Sequence, residues 1–180
     1  QSVGGFGGIF WLVSWIFLGG KLVWQFLTQV WPGLLESGLG NTFYYNQSLP
    51  GTLGRVVPDP HSAKVLFLGI GGLIMVITTV KVIKNYKNEQ QNLNLVLATN
   101  ILLSPISWQH HLVWLLPGLI MAGRLVGKRK KMIWWMFLGL AYLLVAFNIK
   151  NPFPLMNSWW GNLLLSHGTL GILLTWFLLL

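Results

Sequence analysis

Two basic clusters, Lys81, Lys84 and Lys87 on one side and Arg124, Lys128, Arg129, Lys130 and Lys131 on the other, bracket an apolar block, Leu93 to Ala122, that is interrupted at Ser104-Pro105. This block limits the possible folds more than any other stretch. A helix needs ~20 apolar residues to cross a bilayer, so the block is too short for two full crossings and too long for one. Lys and Arg collect in cytoplasmic loops, which puts both ends of the block on one side and requires the chain to turn back. Pro105 has no amide hydrogen and biases Ser104 away from helical geometry. The spacing therefore predicts a broken hairpin over 93–122, two short or tilted helices with their apex at Ser104-Pro105.

Further apolar runs extend the pattern. Phe6 to Leu18, Ala63 to Val80, Met132 to Ile149 and Gly161 to Leu180 each read as a crossing. With the hairpin, the expectation is an all-α, polytopic integral membrane bundle of about six membrane segments. The chain is 54% hydrophobic and 8% charged, against roughly 25% charged in a soluble domain. From Leu22 to Leu35 apolar residues recur every three or four positions, which suits a helix lying in the interface and anchored by Trp24 and Trp31. Ser37 to Ser62, rich in Gly, Pro, Asn and Ser, reads as an ordered loop, so 21–62 is expected to be an extracytoplasmic or interfacial stretch.

Lys plus Arg total 12 against 3 for Asp plus Glu. Their placement explains the excess without nucleic acid: eight fall in two short inner loops, and Lys21, Arg55, Lys64 and Lys150 are spread over the outer ones. Cysteine is absent, which removes disulfide and thiolate-metal arguments. Gln1 is not an initiator Met and the first apolar run lacks a basic leader. The chain is thus expected to be the C-terminal portion of a single transmembrane domain whose N-terminal half is not included.

The chemistry concentrates in Ser104-Pro105-Ile106-Ser107-Trp108-Gln109-His110-His111. Two imidazoles, two hydroxyls, an amide and an indole are costly to place among hydrocarbon, and polar groups at membrane depth point to function. If the helix restarts by Ser107, then Ser107 and His111 share a face, as do His110 and Trp114. Successive imidazoles on a helix diverge by about 100°, and the carboxylates, Glu36, Asp59 and Glu89, lie elsewhere in the chain, so neither metal nor cofactor is expected. Phosphate-loop and dinucleotide fingerprints are missing, as is the Asp-x-Asp pattern of a metal-nucleotide-sugar site.

The outer face offers neutral hydrogen-bonding groups, aromatic surfaces (Tyr44, Tyr45, Trp108, Trp159, Trp160) and Arg55. That set suits a sugar bearing a phosphate: amides and hydroxyls for its hydroxyls, rings for its C–H side, a guanidinium for the phosphate. Asn46-Gln47-Ser48 also fits an N-glycosylation acceptor, a short and common pattern.

Asn-Gln-Ser-Leu with a downstream Gly and Arg (Asn46 to Leu49, Gly51, Arg55), followed by Ser-Pro-Ile-Ser-Trp-x-His-His (Ser104 to His111), Trp114 and Pro117, resembles glycosyltransferase family 87. These are polyprenol-phosphate-mannose-dependent mannosyltransferases of the GT-C type, and the resemblance runs from about Phe26 to Arg124. It implies transfer of a sugar, often mannose, from a polyprenyl-phosphate donor to a lipid or glycan acceptor on the outer face of a membrane, with a bacterial plasma membrane as the expected location. It also implies a general base supplied by an Asp in an early extracytoplasmic loop, expected upstream of Gln1, so these residues alone are expected to be inactive. His110 and His111 are expected to contact donor phosphate or sugar, and Arg55 the phosphate. Asn46, Gln47, Ser107 and Trp108 are expected to bind sugar or shape the loop. Membrane lipids are further expected partners. The rival reading is a transporter or flippase of a lipid-linked or small polar substrate, which would also break helices at mid-membrane; a structural subunit of a membrane complex is a third.

Overall fold

The computed structural model describes residues 12, 13, 15–129, 131–149, 152–156 and 158–180, and about four-fifths of them are helical. They form two compact units, 1–37 and 38–180. The expected crossing Phe6 to Leu18 lies mostly outside the described residues. In the first unit Gly19 turns the chain at φ 78°, α1 follows at Gly20–Gln25, and a π-helical turn occupies Phe26–Val30. There the Thr28 hydroxyl donates to the Trp24 carbonyl at 2.8 Å, the back-bonding that competes with regular helical bonds. Helix α2 then covers Trp31–Gly40.

The second unit corrects the reading of Ser37 to Ser62 as a loop, because Leu49–Val56 forms a two-turn helix, α3. Its glycines hide it in sequence, but its start is signed: the Ser48 hydroxyl caps Gly51 N–H at 3.1 Å, and Pro50 sits in the first turn where no amide hydrogen is needed. Asp59 caps the next helix, α4 (Pro60–Lys84), accepting from Ser62 N–H at 2.8 Å. Helix α5 (Glu89–Leu103) is capped by Asn88. It stops one residue before Ser104-Pro105, and the chain resumes as a 3₁₀ segment at Gln109–Leu115 that runs into α6 (Leu116–Lys128). Helices α5 and α6 pack against each other, so the block does turn back. Helix α7 (Met132–Ala146), a 3₁₀ turn at Phe153–Leu155, α8 (Trp159–Leu164) and α9 (His167–Leu179) complete the unit.

Helix α9 is the centre. It packs on α5, α6, α7 and the 3₁₀ segment, and Ile172, Thr175, Leu178 and Leu179 on it are fully buried. Close approach to α7 is possible because position 171 is glycine: a Cβ there would lie 2.7 Å from Val145 Cγ2 and 3.0 Å from Val145 N. Leu95, Ala98 and Leu102 of α5 and Ala122 and Val126 of α6 close the core.

One helix among the described residues, α4, is long and apolar enough to cross a membrane; it has 25 residues and a mean hydropathy of 2.2 over its best window. Helices α7 and α9 are apolar but have 15 and 13 residues. The expected run from Gly161 to Leu180 is broken at Leu165-Ser166, and the high hydropathy of α9 reflects burial among its neighbours. By contrast, α4 exposes Leu66, Leu68, Leu73, Met75 and Val76, and α7 exposes Ile133, Trp135, Met136, Leu140 and Leu143.

Candidate functional site

The two sequence motifs, some sixty positions apart, meet in a short antiparallel bridge between Asn46 and Trp108. Asn46 is fully buried and its amide is saturated. Its oxygen accepts from Ser107 N–H at 2.9 Å and from the Ser48 hydroxyl at 2.9 Å, while its nitrogen donates to the carbonyls of Asn41 (3.1 Å) and Pro105 (3.3 Å). Gln47, equally buried, donates its backbone N–H to the Ser107 carbonyl at 2.6 Å. Its side chain reaches the other way: the amide nitrogen donates to the carbonyls of Tyr44 and Leu165, and the amide oxygen accepts from Gly168 N–H at 2.9 Å. Gly168 allows this, since a Cβ there would stand 2.8 Å from that oxygen. The Thr169 hydroxyl closes the set by donating to the Gln47 carbonyl at 2.7 Å.

Arg55, on the last turn of α3, is 9% exposed and points into this frame. Each of its five N–H groups has an acceptor. Nη1 donates to the carbonyls of Phe43 and Asn46, both at 2.8 Å; Nη2 donates to Ser166 Oγ at 2.9 Å and Thr52 Oγ1 at 3.3 Å; Nε donates to Ser166 Oγ at 3.3 Å. Burial lowers its pKa to about 10, which leaves it charged at neutral pH. The expected phosphate contact would have to displace one of these bonds, and the guanidinium as it stands ties α3 to the α8–α9 junction. Asn46, Gln47 and the 2%-exposed Ser107 are likewise inside the fold rather than open to a sugar. Burial of Asn46 also argues against its use as a glycosylation acceptor.

The residues facing outward are aromatic. Phe43 stacks on Tyr45 (5.2 Å between centroids), Tyr45 meets Trp108 edge-on (5.8 Å), Trp108 meets His110 edge-on (5.3 Å), and His110 lies 4.3 Å from His111. The helix does not restart at Ser107, so the expected pairing of Ser107 with His111 on one face is not made. Ser107 is held extended against Asn46 and Gln47, and the chain restarts with 3₁₀ geometry, in which residues three apart align. His111 instead accepts at Nδ1 from Trp108 N–H, 3.2 Å away, and so braces the indole. Partial burial first, and the charge of His110 second, lower the His111 pKa below the ordinary imidazole value.

Tyr45, Trp108, Gln109 and His110 form one wall of an open cavity of about 650 Å³. The rest of the lining is residues 145–148, the end of α7 and the irregular residues after it, within the crossing expected from Met132 to Ile149. The signal that could have found them is the break implied by Asn148 and Pro152 after an unbroken apolar run. His167 secures that part of the lining, with its Nδ1 2.8 Å from the Leu144 carbonyl and its ring edge-on to Phe147 at 5.6 Å. Of the seven expected site residues, Trp108 and His110 line the cavity, His111 supports them, and Asn46, Gln47, Arg55 and Ser107 build the frame. Among the described residues no group of three His, Asp or Glu side chains is placed to hold a metal.

The chain matches no protein-family model and no solved structure. It is 26% identical over 173 aligned residues to the polyprenol-phosphate-mannose-dependent alpha-(1-2)-phosphatidylinositol pentamannoside mannosyltransferase of Mycolicibacterium smegmatis. The alignment covers 89% of this chain and 42% of that protein, so the chain spans less than half the length of this relative. The chain, whose described residues form helices but no strand beyond an isolated bridge, is thus similar, over most of its length, to part of a polyprenol-phosphate-mannose-dependent mannosyltransferase.

Proposed function

We propose that the chain is part of a multi-pass membrane glycosyltransferase that moves a sugar, mannose in the first instance, from a polyprenyl-phosphate donor to a lipid or glycan acceptor on the extracytoplasmic face. The observation that carries this reading is the bridge between Asn46 and Trp108, which turns two distant motifs into one rigid frame and leaves Trp108 and His110 on an open cavity. Similarity to the mannosyltransferase supports it. The apolar faces of α4 and α7 suit lipid, since a soluble protein rarely exposes such continuous apolar surface. The crowding of Lys and Arg at the far ends of α4 and α6 favours an outward cavity.

In this reading the bond from sugar C1 to the phosphate oxygen breaks, the bond from C1 to the acceptor oxygen forms, and the acceptor proton passes to a carboxylate carried by another segment. The leaving lipid phosphate is already an anion and needs donors rather than an acid, a task that suits the His110 imidazole. Trp108 offers a ring face to the sugar.

The test uses membranes from cells expressing the complete coding sequence, supplied with radiolabelled polyprenol-phosphate-mannose. Trp108→Ala and His110→Ala are each expected to lower transfer about tenfold or more, the rate value of one lost contact of 1–2 kcal/mol. Unchanged turnover in both variants removes the cavity from the reaction, and substrate counterflow in proteoliposomes without transfer replaces the enzyme by a transporter.

A further inference from the structure

Gln109 sits between Trp108 and His110 and lines the same cavity. Its side chain makes no hydrogen bond to the protein, and its amide nitrogen is sealed from solvent. Buried amide N–H groups nearly always have an acceptor, so one that lacks it at the wall of a cavity asks for an acceptor from outside the protein. The terminal torsion of a glutamine is soft, which lets the amide turn towards an oxygen placed in the cavity. The neighbouring surfaces narrow the choice of ligand. Trp108 is 42% exposed beside Gln109, and Phe147 and Asn148 line the same cavity. Among the described lining residues there is no lysine, arginine or carboxylate. Ring faces and neutral amides without cations suit a carbohydrate's C–H side and hydroxyl groups, whereas a phosphate calls for cations.

We propose that Gln109, backed by Trp108 and sharing the cavity with Asn148, is the hydroxyl-reading residue of a neutral sugar subsite, so that the glycosyl part of the donor sits against Gln109 and its phosphate lies on the His110 side. The inference rests on the glycosyltransferase reading and deepens it. Gln109 then sets which sugar is accepted, because a hydrogen-bonding site rejects an analogue lacking the partner hydroxyl more strongly than an apolar pocket does.

The experiment uses the purified protein in lipid nanodiscs and the apolar near-isostere Gln109→Leu. Without ligand, Gln109→Leu should keep or raise the melting temperature, since it removes an unpaired buried donor; a fall of several degrees means that the amide has an acceptor in the protein and overturns the proposal. Affinity for polyprenyl-phosphate-mannose should fall about tenfold in the variant, the value of one hydrogen bond, while affinity for polyprenyl phosphate without sugar stays the same. Equal losses for both lipids would place Gln109 on the phosphate and overturn the sugar assignment. One of the singly deoxygenated mannosyl donors should bind the unaltered protein about tenfold more weakly and make no difference to Gln109→Leu, a pattern that a merely structural role does not produce. Saturation-transfer NMR with methyl α-mannoside separates the two readings: Gln109-dependent saturation in a protein that performs no transfer sinks the transferase and keeps the subsite. Transfer indifferent to Gln109→Leu keeps the transferase and sinks the subsite.

Discussion

The side-chain oxygen of Asn46 accepts a hydrogen bond from the backbone N–H of Ser107 at 2.9 Å, and through it the Asn-Gln-Ser turn dictates where the Trp-x-His-His segment stands. Both groups are buried, so water does not replace the bond if it is lost. Asn46→Ala should destabilise the protein by about 3 kcal/mol, because it orphans several buried partners at once. Asn46→Asp should be no better: it keeps the acceptor for Ser107 but turns a second oxygen towards the carbonyls of Asn41 and Pro105. Thermal unfolding in detergent checks both, and a near-native Asn46→Asp would show that the amide nitrogen is dispensable.

Arg55→Lys separates a frame residue from a ligand contact. Lysine carries three donors at a point and cannot occupy the five-pronged site, so a loss of about 2–3 kcal/mol in stability is expected. Ser166→Ala should cost less after Arg55→Lys than in the unaltered protein, because both act on one network. Were Arg55 instead to grip a phosphate, Arg55→Lys would leave the melting temperature alone and weaken only donor binding.

His111 gives the site a pH dependence with a fixed sign. Nδ1 can accept from Trp108 N–H only while unprotonated, and the folded state holds the His111 pKa below the usual imidazole value of about 6.5. Its contribution to stability is therefore complete above the unfolded pKa and is lost as pH falls through the lower, folded one. The melting temperature of the unaltered protein should drop on acidification through that window. His111→Gln, which does not titrate, should show a shallower drop; identical profiles would mean that His111 plays no part.

Glycines at 171 and 72 should respond oppositely to alanine. At Gly171 the added Cβ would stand 2.7 Å from Val145 Cγ2 and 3.1 Å from the Ala141 carbonyl, so α7 and α9 must separate, at a cost of about 1–3 kcal/mol. At Gly72, on α4, nothing lies within 4 Å, and alanine should stabilise the helix by about 0.5–1 kcal/mol. Melting temperatures of the two variants moving in the same direction would contradict the packing described for α9.

Local features were legible in the one-dimensional string because their causes are local. Pro105 ends α5 through its own missing hydrogen, Ser48 and Asp59 cap the helices that follow them, and the apolar run before Lys81 is one long helix whatever surrounds it. The site was legible only in part: the sequence singled out Asn46, Gln47, Arg55 and the Ser107 to His111 segment as one constellation, and these residues do come together. Which of them face a ligand was decided elsewhere, by Ser166, Thr169, Gly168 and the Leu165 carbonyl, more than a hundred positions downstream of the Asn-Gln-Ser turn. Those groups take up the donors of Arg55 and both the donors and the acceptors of Gln47 and turn them inward, leaving Trp108 and His110 at the surface. A side chain's hydrogen-bonding capacity is written in its identity, but whether that capacity is already spent depends on partners that only the folded chain brings within reach.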